Sequence, residues 1–371
     1  MNLIKNMPNA LNLAKSLIAC KTVSSTNANV HAAKKSQFDK SFELLKEPLQ
    51  NAGLVVQVIE NGPYATMIAT PDGKPKAKIW LAGHVDVVPA EDEQFEPMVN
   101  GDKLFGRGSN DMKGKLMFLI NAALESGKTD IGFVFTSDEE IGSPGTKGTL
   151  LKLEGEVVIL PEGGHDADLI LGQNGNIWVQ ITIHGESMHT AKSGVIDNAF
   201  ASAVNAGLHI YNLAHTFGYP ANIIPQFGEV TSESPFNITP KNAVIKVDLR
   251  FPSKEYETYF MAEIKKLPKM FGVSYEIIDL CPAWNVPLIG ETPASESFLL
   301  FENIHAEVFG KRPTKKIGSG SSEASYYTEA GMQVIMPKTE CGNYHGEGEW
   351  VSIEGLYKLQ EAVYKFIKSY A

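Results

Sequence analysis

Five short stretches of this 371-residue chain carry residues able to bind cations and move protons. In Gly83-His84-Val85-Asp86-Val87-Val88-Pro89, an imidazole and a carboxylate stand two apart. A ligating histidine commonly donates its second ring N–H to a carboxylate, which fixes its tautomer, so one residue can bind metal and the other orient it. Read alone, the pair fits a capped turn equally well. Gly106-Arg107-Gly108-Ser109-Asn110-Asp111-Met112-Lys113-Gly114 places Asp111 at the mouth of a helix, either as an N-cap or as a carboxylate whose two oxygens bridge two cations. Asp138-Glu139-Glu140 packs three acids where repulsion is costly unless solvent, a cation or a raised pKa relieves it. Glu162, in Pro161-Glu162-Gly163-Gly164, and His345, in Gly342-Asn343-Tyr344-His345-Gly346, complete a set of nitrogen and oxygen donors. Without thiolate, such a set suits zinc, cobalt or manganese.

The elements that must hold these residues follow from hydrophobic periodicity. Strands are expected at Leu54 to Ile59, Ala65 to Thr70 and Lys78 to Ala82, and helices at Ser36 to Ala52 and Met112 to Ser126. Ile131 to Thr136 and Val157 to Leu160 are short, Ile- and Val-rich runs that read as strands buried on both faces. Strands separated by helices predict an α/β fold with a mostly parallel sheet, whose ligands gather beyond the carboxyl ends of its strands. His84 and Asp86, the acids from Asp138 to Glu140, and Glu162 each follow such a run.

From about residue 174 the rhythm changes. Ile177, Val179, Ile181 and Ile183 alternate with Trp178, Gln180, Thr182 and His184, which marks a half-buried strand. A helix from Asn198, strands at Ile223 to Val230 and Ala243 to Phe251, a helix from Ser253 and a strand at Val273 to Leu280 then complete a β-α-β-β-α-β order. That is the ferredoxin-like pattern, so residues 174–286 are expected to form an inserted α+β domain within a catalytic domain of residues 1–173 and 287–371. A helix at Ser295 to Phe309, a strand at Val334 to Met336 and a closing helix from Glu354 return the chain to that first domain.

Taken jointly, the motifs around His84, the run from Leu104 to Gly114, Asp138-Glu139-Glu140-Ile141-Gly142 and His345 resemble the co-catalytic zinc aminoacylase and carboxypeptidase family. The resemblance spans nearly the whole chain. It implies two Zn2+, with Co2+ or Mn2+ as alternatives in either site. His84 and Glu162 would bind one cation, Glu140 and His345 the other, and Asp111 both. Asp86 would orient His84, Glu139 would be the general base, and the peptide bond after Asp111 would be cis. Water activated by zinc would then attack an amide carbonyl, with no serine or cysteine nucleophile.

The inserted domain is similar to the family's lid and dimerisation domain. Ser187-Met188-His189-Thr190-Ala191 resembles its histidine motif, which implies that His189 polarises the scissile carbonyl, often from the partner subunit of a homodimer. Phe236-Asn237-Ile238-Thr239-Pro240 and Val247-Asp248-Leu249-Arg250 resemble segments whose Asn237 and Arg250 would grip a substrate carboxylate, for which a guanidinium fork is suited. The bland reading of Arg250 is a strand residue paired with Asp248. Ser319, Gly320 and Ser321 fall in a run that resembles a glycine-rich substrate loop, although Glu323 stands where Asp is usual. Gly163-Gly164 replaces the Pro-Ser or Pro-Thr common in the deacylases, and Cys341 an Asn of the desuccinylases.

The implied activity is hydrolysis of an N-acyl amino acid by a desuccinylase or deacetylase of amino-acid biosynthesis. Gly163-Gly164 favours a dipeptidase or carboxypeptidase as the alternative, and a catalytically inactive binding protein is the remote one. Composition agrees with a soluble enzyme: 43% hydrophobic and 20% charged residues can fill two domains. A net charge of −10 argues against nucleic acid as partner. Three scattered cysteines fit a reducing compartment, and apolar runs such as Leu116 to Ile120 fall far short of the ~20 residues of a membrane span, so a cytoplasmic location is expected. His31, His165, His184, His209, His215 and His305 are read as non-ligands.

Overall fold

A computed structural model describes residues 9–164, 168–184, 186–189, 191–192, 198–226, 237–289, 292–293 and 295–371. His165 and part of the strand expected near Val230 lie outside the described residues. The chain divides into two compact units: Met1–Gly172 with Asn285–Gly318 and Ser322–Ala371, and Gln173–Trp284 with Ser319–Ser321. Among the described residues no helix is long and apolar enough to cross a membrane.

The first unit is built on a mixed sheet whose centre is parallel. Ile79–His84 lies between Ile131–Thr136 and Val157–Ile159 and runs parallel to both, with Ile79 opposite Ile131 and Val157, and His84 opposite Thr136. Every residue of these three strands is buried, the expected result for apolar runs covered on both faces. Gln333–Pro337 extends the parallel set beside Val157–Ile159. Antiparallel strands flank it, with Tyr64–Thr70 and Val55–Asn61 on one side and Leu169–Gln173 on the other.

Helix Lys113–Ser126 is buried on nearly every face and packs against Ala10–Ile18 and the closing helix Ile353–Tyr370. The closing helix buries Leu356, Leu359, Val363 and Phe366 at the three-to-four spacing of an amphipathic helix, and the Ser352 side chain caps it by accepting from the Gly355 N–H at 2.9 Å. Several short strands escaped the periodicity argument, and four of them pair with one another. Cys341–Gly342, Trp350–Ser352, Lys103–Phe105 and Met98–Asn100 form a small antiparallel sheet that brings the loops carrying Asp111 and His345 side by side.

In the second unit the strand order along the sheet is Ala221–Gln226, Asn242–Phe251, Gly175–His184 and Ser274–Cys281. Ile177 pairs with Leu249, Val179 with Val247 and Ile181 with Ile245, so one apolar face is shared across the register. Helix Ala199–Thr216 covers it with Ala203, Ala206 and Ile210, and Phe260 and Ile264 of Lys254–Ile264 join the same core. The helix expected from Ser253 ends at Ile264 and is followed by a separate short helix, Leu267–Phe271, with Pro268 in its first turn.

Most histidines set aside as non-ligands have bland surroundings. His31 is buried between Phe38 and Tyr64, His215 rests on Tyr211, and His209 has the Glu263 carboxylate at 3.7 Å. His305 is buried and stacked on Phe309, and neither ring nitrogen has a hydrogen-bond partner among the described residues. Burial, only partly opposed by Asp168, lowers its pKa to about 4. Protonation therefore favours the unfolded chain, where the value is about 6.5. Stability is complete above that value and falls as pH drops from about 6.5 to 4, by about 2–3 kcal/mol at the lower end. Thermal melts between pH 7 and 4.5 are expected to show a smaller loss of Tm for His305→Phe than for the parent chain; equal losses would contradict this.

Candidate metal centre

The three central parallel strands deliver their acidic and histidine residues to one sheet end. His84 closes the middle strand, Asp138 to Glu140 follow one neighbour and Glu162 follows the other. His84 Nε2 lies 3.1 Å from Asp111 Oδ1 and 3.1 Å from Glu162 Oε1. His345 Nε2 lies 3.1 Å from Asp111 Oδ2 and 3.1 Å from Glu140 Oε2. The donor atoms of His84, Asp111 and Glu162 all fall within 4.8 Å of one another, as do those of Asp111, Glu140 and His345. Asp111 is common to both trios and offers a different oxygen to each. Helix Lys113–Ser126 is preceded by Met112, without a side-chain cap, so Asp111 is not its N-cap. The Asp111–Met112 peptide bond is cis, as the resemblance implied.

Asp86 acts on two partners. His84 Nδ1 sits 3.0 Å from the Asp86 main-chain oxygen and 3.4 Å from Oδ1, while the carboxylate accepts the N–H groups of Glu139 and Glu140, each at 3.1 Å. It therefore sets both the imidazole and the turn bearing the two glutamates. Gly163 is required on steric grounds: a Cβ there would lie 2.4 Å from Asp111 Cγ, and one on Gly164 would lie 2.5 Å from the Tyr344 ring.

The electrostatics fit cations. Burial, and then the neighbouring Glu162, holds Glu139 well above the usual carboxyl range. Burial and Asp111 raise Glu140 to about 7. Burial opposes charge on His345 and His84, but hydrogen bonds to Asp111 and Glu140 lift His345 to about 10, and the charge of Glu162 with bonds to Asp111 and Asp86 lifts His84 well above its normal value. A buried group of carboxylates this dense needs positive charge nearby. Glu140 Oε1 and Glu162 Oε2 are buried with no hydrogen-bond partner among the described residues. One spare oxygen in each trio, together with two imidazoles and no thiolate, suits a pair of divalent cations.

Residues 80–369 match the model of peptidase family M20/M25/M40. The chain belongs to that family. Its M20 relatives include the succinyl-diaminopimelate desuccinylase of Buchnera aphidicola subsp. Acyrthosiphon pisum, 27% identical over 77% of this chain and 82% of the relative. That of Sphingopyxis alaskensis is 26% identical over 96% of this chain and 97% of its own. Among solved structures, an M20 family metallo-carboxypeptidase from Sulfolobus solfataricus gives a TM-score of 0.73 at 16% identity, covering 98% of this chain and 99% of the other. Human carnosine dipeptidase 1 gives 0.65 at 13% identity, covering 99% and 97%. The M20 chain described here is accordingly a hydrolase of amide bonds in a family that works with divalent metal.

The remaining residues singled out by M20 resemblance lie in the second unit. Asn237 Nδ2 stands 3.1 Å from His189 Nε2, and both side chains are exposed. Arg250 donates through Nε and Nη2 to Asp248 Oδ2 at 3.2 and 2.8 Å, and through Nη1 to Ser321 Oγ at 3.1 Å. Ser321 in turn donates to Asn176 Oδ1 at 2.5 Å. The bland pairing of Arg250 with Asp248 is thus present, together with a link to the Ser319–Ser321 loop. Ser319 is exposed and Gly320 half-buried.

Sequence reasoning missed the buried lysines behind Glu162. Lys338 Nζ donates to the main-chain oxygens of Glu162 and Gly163 at 2.7 and 2.8 Å, and Lys115 Nζ to that of Glu162 at 3.1 Å. Burial lowers Lys338 to about 7. Glu323, which stands where Asp is usual in the resembling loop, accepts from Ser143 Oγ at 3.0 Å, beside the acidic turn. Burial raises its carboxyl to about 8. The lysines have no signal in the sequence, whereas the place of Glu323 in the run that resembles a substrate loop is one.

Proposed function

We propose that this M20 chain is a dinuclear zinc hydrolase that removes the acyl group from an N-acyl amino acid, with an N-succinyl amino acid as first choice. The observation that carries the reading is Asp111, whose two oxygens each stand 3.1 Å from the imidazole of a different trio. His84 and Glu162 would hold one zinc, Glu140 and His345 the other, and Asp111 both. When bound, the cations supply Lewis acidity that polarises the amide carbonyl and lowers the pKa of water. Glu139 takes the proton from the attacking water and returns it to the leaving nitrogen, since it lies beside both trios and belongs to neither. Asp86 keeps Glu139 in place through the main chain and holds His84 in one tautomer.

Arg250, steadied by Asp248 and Ser321, offers its guanidinium to a substrate carboxylate, and Ser319 and Gly320 continue that loop. Asn237 would join Arg250 on the carboxylate and His189 would polarise the carbonyl. We further propose that residues 174–286 act as a lid and dimerisation domain, with His189 serving the site of a partner copy. No disulfide joins Cys20, Cys281 and Cys341, which fits work in the cytoplasm. The succinyl preference rests on the desuccinylase relatives. The exopeptidase alternative rests on Gly163-Gly164 standing where the deacylases commonly carry Pro-Ser or Pro-Thr.

A panel of N-succinyl amino acids, N-acetyl amino acids and dipeptides, assayed with zinc-loaded protein, separates the two. The highest kcat/KM is expected on an N-succinyl amino acid, by at least about tenfold. A dipeptide at the top would replace the deacylase with an exopeptidase.

A further inference from the structure

One buried ion pair stands behind both trios and belongs to neither. Arg107 and Glu349 are buried, and Arg107 Nη1 donates to Glu349 Oε2 at 2.6 Å. Glu349 Oε1 accepts the N–H groups of Asn110 and Asp111 at 2.9 and 3.1 Å, and Oε2 accepts that of Gly108 at 3.2 Å. The other arm of the guanidinium, Nη2, donates to the main-chain oxygens of His345 and Gly346 at 3.1 and 3.2 Å. A buried pair of this kind is weak as a source of stability, because desolvation offsets most of the attraction. What distinguishes it is where its hydrogen bonds end: on the main chain of Asp111 through Glu349, and on that of His345 through Arg107.

We propose that Arg107 and Glu349 are positioning residues that fix Asp111 and His345 relative to one another and so set the affinity for the two cations. The proposal rests on the dinuclear reading above. Glu349 acts on the residue shared by both cations, whereas the outer arm of Arg107 acts only on the loop of one. A planar fork is needed for the second task, since a single ammonium cannot serve Glu349 and two carbonyls of the neighbouring loop in one plane. The two residues therefore differ in which cation they govern.

The test is titration of the metal-free full chain with Co2+, read by calorimetry and by visible absorption, with the Tm of the metal-free protein measured alongside. The parent chain is expected to bind two equivalents. Glu349→Gln puts an amide N–H₂ against N–H donors and is expected to weaken both cations by about 10–100-fold. Arg107→Lys keeps the charge and is expected to weaken one cation by about tenfold while the other binds as before, with an altered absorption for the weakened site only. Should Glu349→Gln fail to fold, Arg107→Lys decides. Two cations bound by folded variants with parental affinity and spectrum would overturn the proposal. A parent chain that binds fewer than two would instead remove the dinuclear reading beneath it.

Discussion

Glu139→Gln is expected to lower kcat by about 10²–10⁴-fold while two cations remain bound, the loss typical of removing a positioned general base. The substitution keeps the side chain's size, and its main-chain N–H still reaches Asp86 Oδ1, so the turn that carries Glu140 stays in place. Glu139 belongs to neither trio of cation donors. Metal analysis of the purified variant beside its steady-state rate separates the two roles. A variant with two cations and most of its activity would deny Glu139 the proton transfer; one that has lost a cation would make it a ligand.

Asp111→Asn should be more damaging to the centre itself. The carboxylate is the only side chain shared by the two trios, and its Oδ1 also accepts the Gly163 N–H at 3.2 Å. An amide leaves one oxygen and turns an N–H₂ toward one imidazole, so at least one cation should be lost and activity should fall by about 10²-fold or more. Equilibrium dialysis against zinc, followed by elemental analysis, measures the outcome. Retention of two tightly held cations would show that Asp111 does not link them.

The sequence was most legible where geometry is local. Ile131–Thr136 is a run too short for a helix and too apolar for a surface, so its strand and the placing of Glu140 beyond the strand end could be read directly, while the strand expected at Lys78 to Ala82 runs on to His84, which closes it. The alternation of Ile177, Val179 and Ile181 likewise marked a strand with one buried face, and that strand was found. Illegible were features set by contacts distant along the chain. The strands Lys103–Phe105 and Trp350–Ser352 are too short to show a period, yet they bring the Asp111 and His345 loops together. Glu349 reads as one acid among the glycines near His345, and Lys338 as a surface lysine, until the fold buries both beside main-chain groups that need partners. Asp86 was assigned to His84 alone because the N–H groups it also holds belong to a turn more than fifty residues away.

The dinuclear centre itself is tested most directly by restoring zinc to chelated protein while following hydrolysis of an N-succinyl amino acid. Activity is predicted to be absent in the metal-free chain and to rise until two equivalents per chain are bound. Full activity in the metal-free chain, or a plateau at one equivalent, would contradict the centre that His84, Asp111, Glu140, Glu162 and His345 are proposed to form.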